Sequence, residues 1–141
     1  DNFDLGSSRV IPSLIFRCFE AKKKNEESIS VWGSGNAQRS FLFVDDLAVA
    51  IIKALESYID YNPINISSGE ALTIKKLSKL IAKKSNYGGK IIFDSSKPEG
   101  QIKRTLAISK AREVLSFKPI YKIEKGIEKT IEWYEKNIFR K

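Results

Sequence analysis

Histidine is absent from this 141-residue chain, and there is one cysteine. Without His the chain lacks the commonest metal ligand and the commonest general base. Zinc sites and Ser-His or Cys-His catalysis are therefore excluded within it. A single Cys forms no internal disulfide and suits a reducing compartment. Cys18 falls among apolar residues of an expected helix, so it reads as a buried, inert thiol. Long apolar runs are missing as well. The longest in a helical region covers residues 47–52, far short of the ~20 residues a membrane span needs. The chain opens Asp-Asn-Phe-Asp, with no basic then apolar start, so no signal peptide is read, and a cytoplasmic location without a membrane partner is expected. No internal repeat, heptad array or low-complexity tract is visible. No strand is followed by a glycine-rich phosphate loop: Gly33-Ser34-Gly35 lacks the spacing of a dinucleotide fingerprint or a P-loop.

The composition is that of an ordinary globular chain, long enough for one domain with one core. The net charge of +8, from 25 basic and 17 acidic residues, admits nucleic acid, an anionic surface or a phosphorylated ligand as partner. Most of the excess is Lys, at helix positions that face water: Lys75, Lys76, Lys79, Lys83, Lys84, Lys125 and Lys129. That pattern is a solvated face, so no nucleic-acid partner is expected. A basic binding module for RNA would interleave aromatics with Arg, and Arg is sparse here.

Strands alternate with helices along the chain, which points to an α/β architecture. Residues 1–8 read as a loop. Ser7 or Ser8 can cap a first helix that carries Pro12 in its first turn and runs to about Lys24. Its apolar stripe is Ile11, Leu14, Ile15, Cys18 and Phe19, with Arg17 off the stripe. Residues 29–32 form a short strand, and 41–44 are strand-like. Asp45 or Asp46 can cap a helix from Leu47 that is apolar nearly all round over 47–55. Such a helix is buried on most sides, with cover from something larger than this chain. Residues 63–66 read as a strand and 67–70 as a turn. Thr73 caps a third helix without a capping box, because Lys76 stands where an acid is needed. Gly88-Gly89 ends it, and 91–93 give another strand. Residues 94–104 are the longest irregular stretch, of a kind that is often functional. Residues 106–108 read as a strand, and Ser109 caps a brief helix ending near Ser116. After a break at Pro119, a last helix covers 123–137.

The chain is organised around residues 31–48. Trp32 ends an apolar run, Gly33-Ser34-Gly35-Asn36 turns, and Arg39 follows seven residues after Trp32. An aromatic face and a guanidinium flanking a tight turn suit a flat anionic ligand such as a nucleotide. The same residues also fit a hairpin with a surface Trp and a solvated Arg.

Several stretches carry a resemblance. They are Asp1-Asn2-Phe3-Asp4, Val10-Ile11-Pro12-Ser13-Leu14-Ile15, Val31-Trp32-Gly33-Ser34-Gly35 and Arg39-Ser40-Phe41-Leu42-Phe43-Val44-Asp45-Asp46-Leu47-Ala48. Asn65-Ile66-Ser67-Ser68-Gly69, Ser96-Lys97-Pro98-Glu99-Gly100 and Trp133-Tyr134 continue it. In order and spacing they resemble the GDP-L-fucose synthases and close relatives, within the extended short-chain dehydrogenase/reductase superfamily of nucleotide-sugar epimerases and reductases.

The resemblance implies that residues 1–141 are the C-terminal, sugar-nucleotide-binding portion of an extended Rossmann-type enzyme. The NADP-binding Rossmann part, with the family's Ser, Tyr and Lys of hydride transfer, would lie upstream. It implies a GDP-4-keto-6-deoxy sugar as substrate, NADP as cofactor and a homodimer for the full-length protein. It also implies that this fragment alone is inactive and does not bind NADP tightly. Another nucleotide sugar, handled by another epimerase or dehydratase of the superfamily, is the alternative. The family's substrate contacts fall on Arg17, Trp32, Arg39 and Glu99, which should share one cavity with Arg17 at its edge. Glu99 replaces the family's usual Asp. Arg9 stands where the family has an acid His near the cofactor, so a cofactor contact is implied for it. A guanidinium is a poor proton shuttle near neutral pH, which leaves reduction at C4 without epimerisation as one outcome.

Overall fold

The computed structural model describes residues 2–4 and 6–140. Asp1 and Leu5, part of the expected N-terminal loop, lie outside the described residues. Helix α1 (Val10–Lys24) buries Leu14, Ile15, Cys18 and Phe19, as its three- and four-residue spacing requires. Arg9 is its N-cap, and no side chain caps it, so neither Ser7 nor Ser8 takes that role. Pro12 sits in the first turn, where a missing N–H breaks no bond. Asn25, at φ 53°, ends the helix.

Strand β1 (Ser28–Trp32) pairs in parallel with β4 (Lys90–Asp94), placing Val31 opposite Phe93 and Trp32 opposite Asp94. A second sheet has the order β3-β2-β5, with β2 (Gln38–Ser40) central, β3 (Ala71–Thr73) antiparallel and β5 (Lys103–Arg104) parallel to it. The turn after Trp32 is therefore not a hairpin turn. It carries the chain from one sheet into the other.

Helix α3 (Ile74–Lys84) follows β3, and Thr73 Oγ1 accepts the Lys76 N–H at 3.2 Å, the expected cap. Helix α4 (Ser109–Leu115) ends at Ser116 in the left-handed region. Its N-cap is Ile108, which displaces Ser109 into the first turn. Helix α5 (Ile123–Tyr134) passes into a π-helical turn at Glu135–Phe139. The main core joins α1, α3 and α5 to the β1–β4 pair through Ile15, Cys18, Leu77, Ile81, Ile127 and Tyr134. Burial pushes the Cys18 thiol up to about 12, against the weaker opposite pull of Lys22.

Several sequence expectations fail for physical reasons. The strand near Phe41 lies earlier, at Gln38–Ser40, and residues 41–43 are irregular. Helix α2 (Val44–Ser57) starts three residues before Leu47, and its N-cap is Phe43. Asp46 does not cap it. The buried carboxylate instead accepts the N–H groups of Ile120 at 2.9 Å and Tyr121 at 3.0 Å, fastening the α4–α5 connection to α2. Residues 63–66 and 106–108 are apolar and extended by composition but have no strand partner among the described residues. Inside this chain α2 is not buried on most sides. Asp46 and Ala50 are its buried residues, while Val44, Ile51 and Ile52 are more than half exposed and Leu55 is 83% exposed. Its inner face meets a small second core of Ala111, Leu115 and Phe117.

Candidate nucleotide-binding pocket

The turn at residues 33–37 is shaped by two glycines. Gly33 has φ +83° and Gly35 φ +77°, both in the region that favours glycine. A methyl group on Gly35 would stand 2.6 Å from the Phe93 ring, so the backbone packs directly on β4. This close approach turns the chain sharply after β1 and delivers Arg39 back toward Trp32.

The result is a cavity of about 300 Å³ between α1, the end of β1, the turn and β2. Arg17, Trp32, Arg39 and Glu99 all line it, with Ser13 and Val10 from α1. The four residues named for substrate contact are thus brought together, across 82 positions of sequence from Arg17 to Glu99. Trp32 is 60% exposed, and its indole is available to a ligand. Arg17 and Arg39 are half-buried. Each is steered by one hydrogen bond to a backbone carbonyl: Arg17 Nη1 donates to Ser30 O and Arg39 Nη1 to Gln38 O, both at 2.7 Å. Among the described residues neither forms an ion pair. Two guanidiniums partly withdrawn from water, with donors still free, favour an anion with several acceptor oxygens.

Glu99 is differently placed. Both its carboxylate oxygens lie on Ser34 Oγ, at 2.7 and 2.9 Å, and Ala37 N donates to Oε1 at 3.2 Å. The Ser34 hydroxyl and the turn's N–H groups hold this carboxyl below its usual range. Arg9 stands apart: it is exposed at the start of α1 and does not line the cavity. The cofactor contact expected of Arg9 thus lies outside this cavity.

The sequence reading missed Arg104. It lies on β5 directly opposite Arg39 on β2, exposed at the sheet edge. The signal was weak, because β5 is a two-residue strand inside a loop. A larger groove of about 930 Å³ runs between residues 41–45 and α5, lined by Phe3, Phe43, Tyr121 and Trp133. None of the expected site residues reaches it. The smaller cavity holds both Arg17 and Arg39, which form no ion pair among the described residues.

Residues 2–67 match the model of the NAD dependent epimerase/dehydratase family. A probable GDP-L-fucose synthase 1 of Oryza sativa subsp. japonica is 39% identical over 98% of this chain and 42% of its own length. A GDP-L-fucose synthetase from Naegleria fowleri, solved bound to NADP, superposes with a TM-score of 0.90 at 28% identity, over 97% of this chain and 43% of that one. A GDP-6-OMe-4-keto-L-xylo-heptose reductase from C. jejuni gives a TM-score of 0.84 at 26% identity, over 96% and 50%. The chain spans less than half the length of the curated relatives it matches. With short strands alternating with helices, as in these extended short-chain dehydrogenase/reductase enzymes, the chain is GDP-L-fucose synthase-like.

Proposed function

We propose that the whole protein is an NADP-dependent nucleotide-sugar oxidoreductase or epimerase-reductase acting on a GDP-4-keto-6-deoxy sugar. Residues 1–141 are its C-terminal substrate-binding portion. The observation that carries this reading is that two half-buried guanidiniums, Arg17 and Arg39, which form no ion pair among the described residues, share one cavity with the exposed indole of Trp32. The diphosphate lies between Arg17 and Arg39, with Arg104 adding charge at the sheet edge. Trp32 covers the nucleoside or sugar face. Fixing these two ends of the ligand orients its sugar toward chemistry supplied by the rest of the polypeptide. That remaining part also covers the exposed apolar side of α2. NADP binds mainly there, with Arg9 as a contact from this chain. We place the protein in the cytoplasm, as a homodimer.

Position 9 decides between two products. Epimerisation at C3 or C5 returns a proton beside a ketone, and a guanidinium does not release one near neutral pH. The reading is therefore C4 reduction with C3 and C5 unchanged. The test is turnover of a GDP-4-keto-6-deoxy sugar by the full-length protein in deuterated water. A C4-reduced product without deuterium at C3 and C5 is expected. An inverted product labelled at both carbons overturns the reductase-only reading, and no turnover overturns the substrate assignment. The likeness to a GDP-heptose reductase favours one second reading, a related GDP-linked keto sugar held by the same contacts.

A further inference from the structure

Loop 94–104 is fastened to the 33–38 turn at three places. Gly33 N donates to Asp94 O at 2.9 Å and Gln38 N to Ile102 O at 2.7 Å, at the two ends. Between them stands the Glu99 carboxylate. Ser34 Oγ sits on both its oxygens, and Ala37 N donates to one. Ser34 Oγ also accepts the Asn36 N–H at 3.2 Å. The turn thus directs its hydroxyl and two of its N–H groups, one through that hydroxyl, toward a single carboxylate. Gly33 makes room for it: a methyl group there would meet Cβ and Cγ of Glu99 at 3.0 Å. The next residue, Gly100, faces the anion-binding side, where a methyl group would stand 3.8 Å from Arg39 Nη2. Yet Glu99 forms no ion pair with Arg39 or Arg17 among the described residues.

A loose carboxylate in this cavity would compete with a phosphate for both guanidiniums and repel it. Here both its oxygens are engaged by neutral donors of the turn, and the two guanidiniums form no ion pair among the described residues. Glu reaches Ser34 with both oxygens, and an Asp is one methylene shorter.

We propose that Glu99 is a positioning residue whose carboxylate clasps Ser34 and Ala37, holding loop 94–104 and the Arg39 side of the cavity in their ligand-ready arrangement without touching the ligand. The inference rests on the nucleotide-diphosphate reading of the cavity. A lost clasp frees the loop apex beside Arg39, and it releases a negative charge into the pocket when Ser34 alone is removed.

The experiment uses the full-length protein, with GDP as the probe. GDP affinity is measured by titration calorimetry for the unmodified protein, Ser34→Ala, Glu99→Ala and the double variant. Amide hydrogen exchange over residues 33–38 is followed without ligand. Each single variant should weaken GDP binding by about tenfold, and the double variant should be no weaker than the worse single one, because both remove one interaction. Exchange over 33–38 should quicken in all three. Ser34→Thr, which keeps the hydroxyl, should retain both affinity and protection. A Ser34→Ala protein that binds GDP as well as or better than the unmodified one, with Glu99→Ala weakened, would mean that Glu99 contacts the ligand directly and would overturn the proposal. Failure of the unmodified protein to bind GDP overturns the nucleotide reading instead. The exchange data then decide the clasp alone, with unchanged protection in Ser34→Ala and Glu99→Ala counting against it.

Discussion

Arg39 and Arg104 face each other as register partners on the parallel strands β2 and β5. Like charges on adjacent strands repel, and no carboxylate among the described residues pairs with either. Such an arrangement suits a bound anion. Arg39 lines the cavity and is half-buried, whereas Arg104 is exposed. Arg39→Ala should therefore weaken GDP binding more, by ~1.5–3 kcal/mol for a lost charge-assisted contact. Arg104→Ala should cost less and should chiefly flatten the salt dependence, because exposed charges are the more strongly screened. Affinity measured at two ionic strengths separates the two roles.

Trp32 is the second handle we propose for the ligand. With 60% of its surface exposed, it contributes little to the core. Trp32→Ala should leave thermal stability within ~0.5 kcal/mol of the unmodified protein while weakening nucleotide binding by ~1–3 kcal/mol, the usual worth of aromatic stacking on a base. Trp32→Phe should recover part of that loss. A large fall in melting temperature for Trp32→Ala would place the indole in a structural role instead.

Asp46 should matter for stability and not for ligand binding. Its buried carboxylate holds the N–H groups of Ile120 and Tyr121. Asp46→Ala leaves both donors unmatched, and ~2–4 kcal/mol of destabilisation is expected from hydrogen bonds of this charged type. Urea unfolding of the two proteins gives the value.

Acid should loosen the loop that follows α2. The Asn62 N–H, then Lys110, hold the Asp60 carboxyl down to about 2, from an ordinary 3.8. A carboxyl with a lower pKa in the folded state stabilises it above the unfolded value, and that contribution fades as pH falls from about 4 toward 2. Asp60→Asn should lose the Asp60 share of the pH dependence in that window, giving a shallower fall in stability, and should match the unmodified protein most closely at its acid end. Stability measured from pH 5 to 2 by chemical denaturation tests this.

Much of this molecule was legible in its residues. The α1 stripe, the Thr73 cap and the burial of Cys18 follow from local spacing and polarity. So does the meeting of Trp32 with Arg39, because two glycines force a turn between them. The misreadings come from tertiary partners. Asp46 looked like a cap because Asp is a good one, but a distant backbone offered it two donors. Residues 63–66 and 106–108 have strand-like composition, and composition does not provide a neighbouring strand. β3 and β5 are three and two residues long. They exist through pairing with β2, which no local pattern encodes. Arg104 went unnoticed for the same reason. Glu99 was legible as a pocket residue, while its hold on Ser34 depends on a loop closing across 65 positions.

We propose that Arg17, Trp32 and Arg39 form a receptor for a nucleoside diphosphate. Titration of the full-length protein with GDP and with guanosine, repeated for Arg39→Ala, addresses it most directly. GDP should bind at least tenfold more tightly than guanosine, a difference of ~1.4 kcal/mol, and Arg39→Ala should erase most of that gap while leaving guanosine binding nearly unchanged. Equal affinity for GDP and guanosine, or a gap that survives in Arg39→Ala, would rule out a diphosphate held by Arg39.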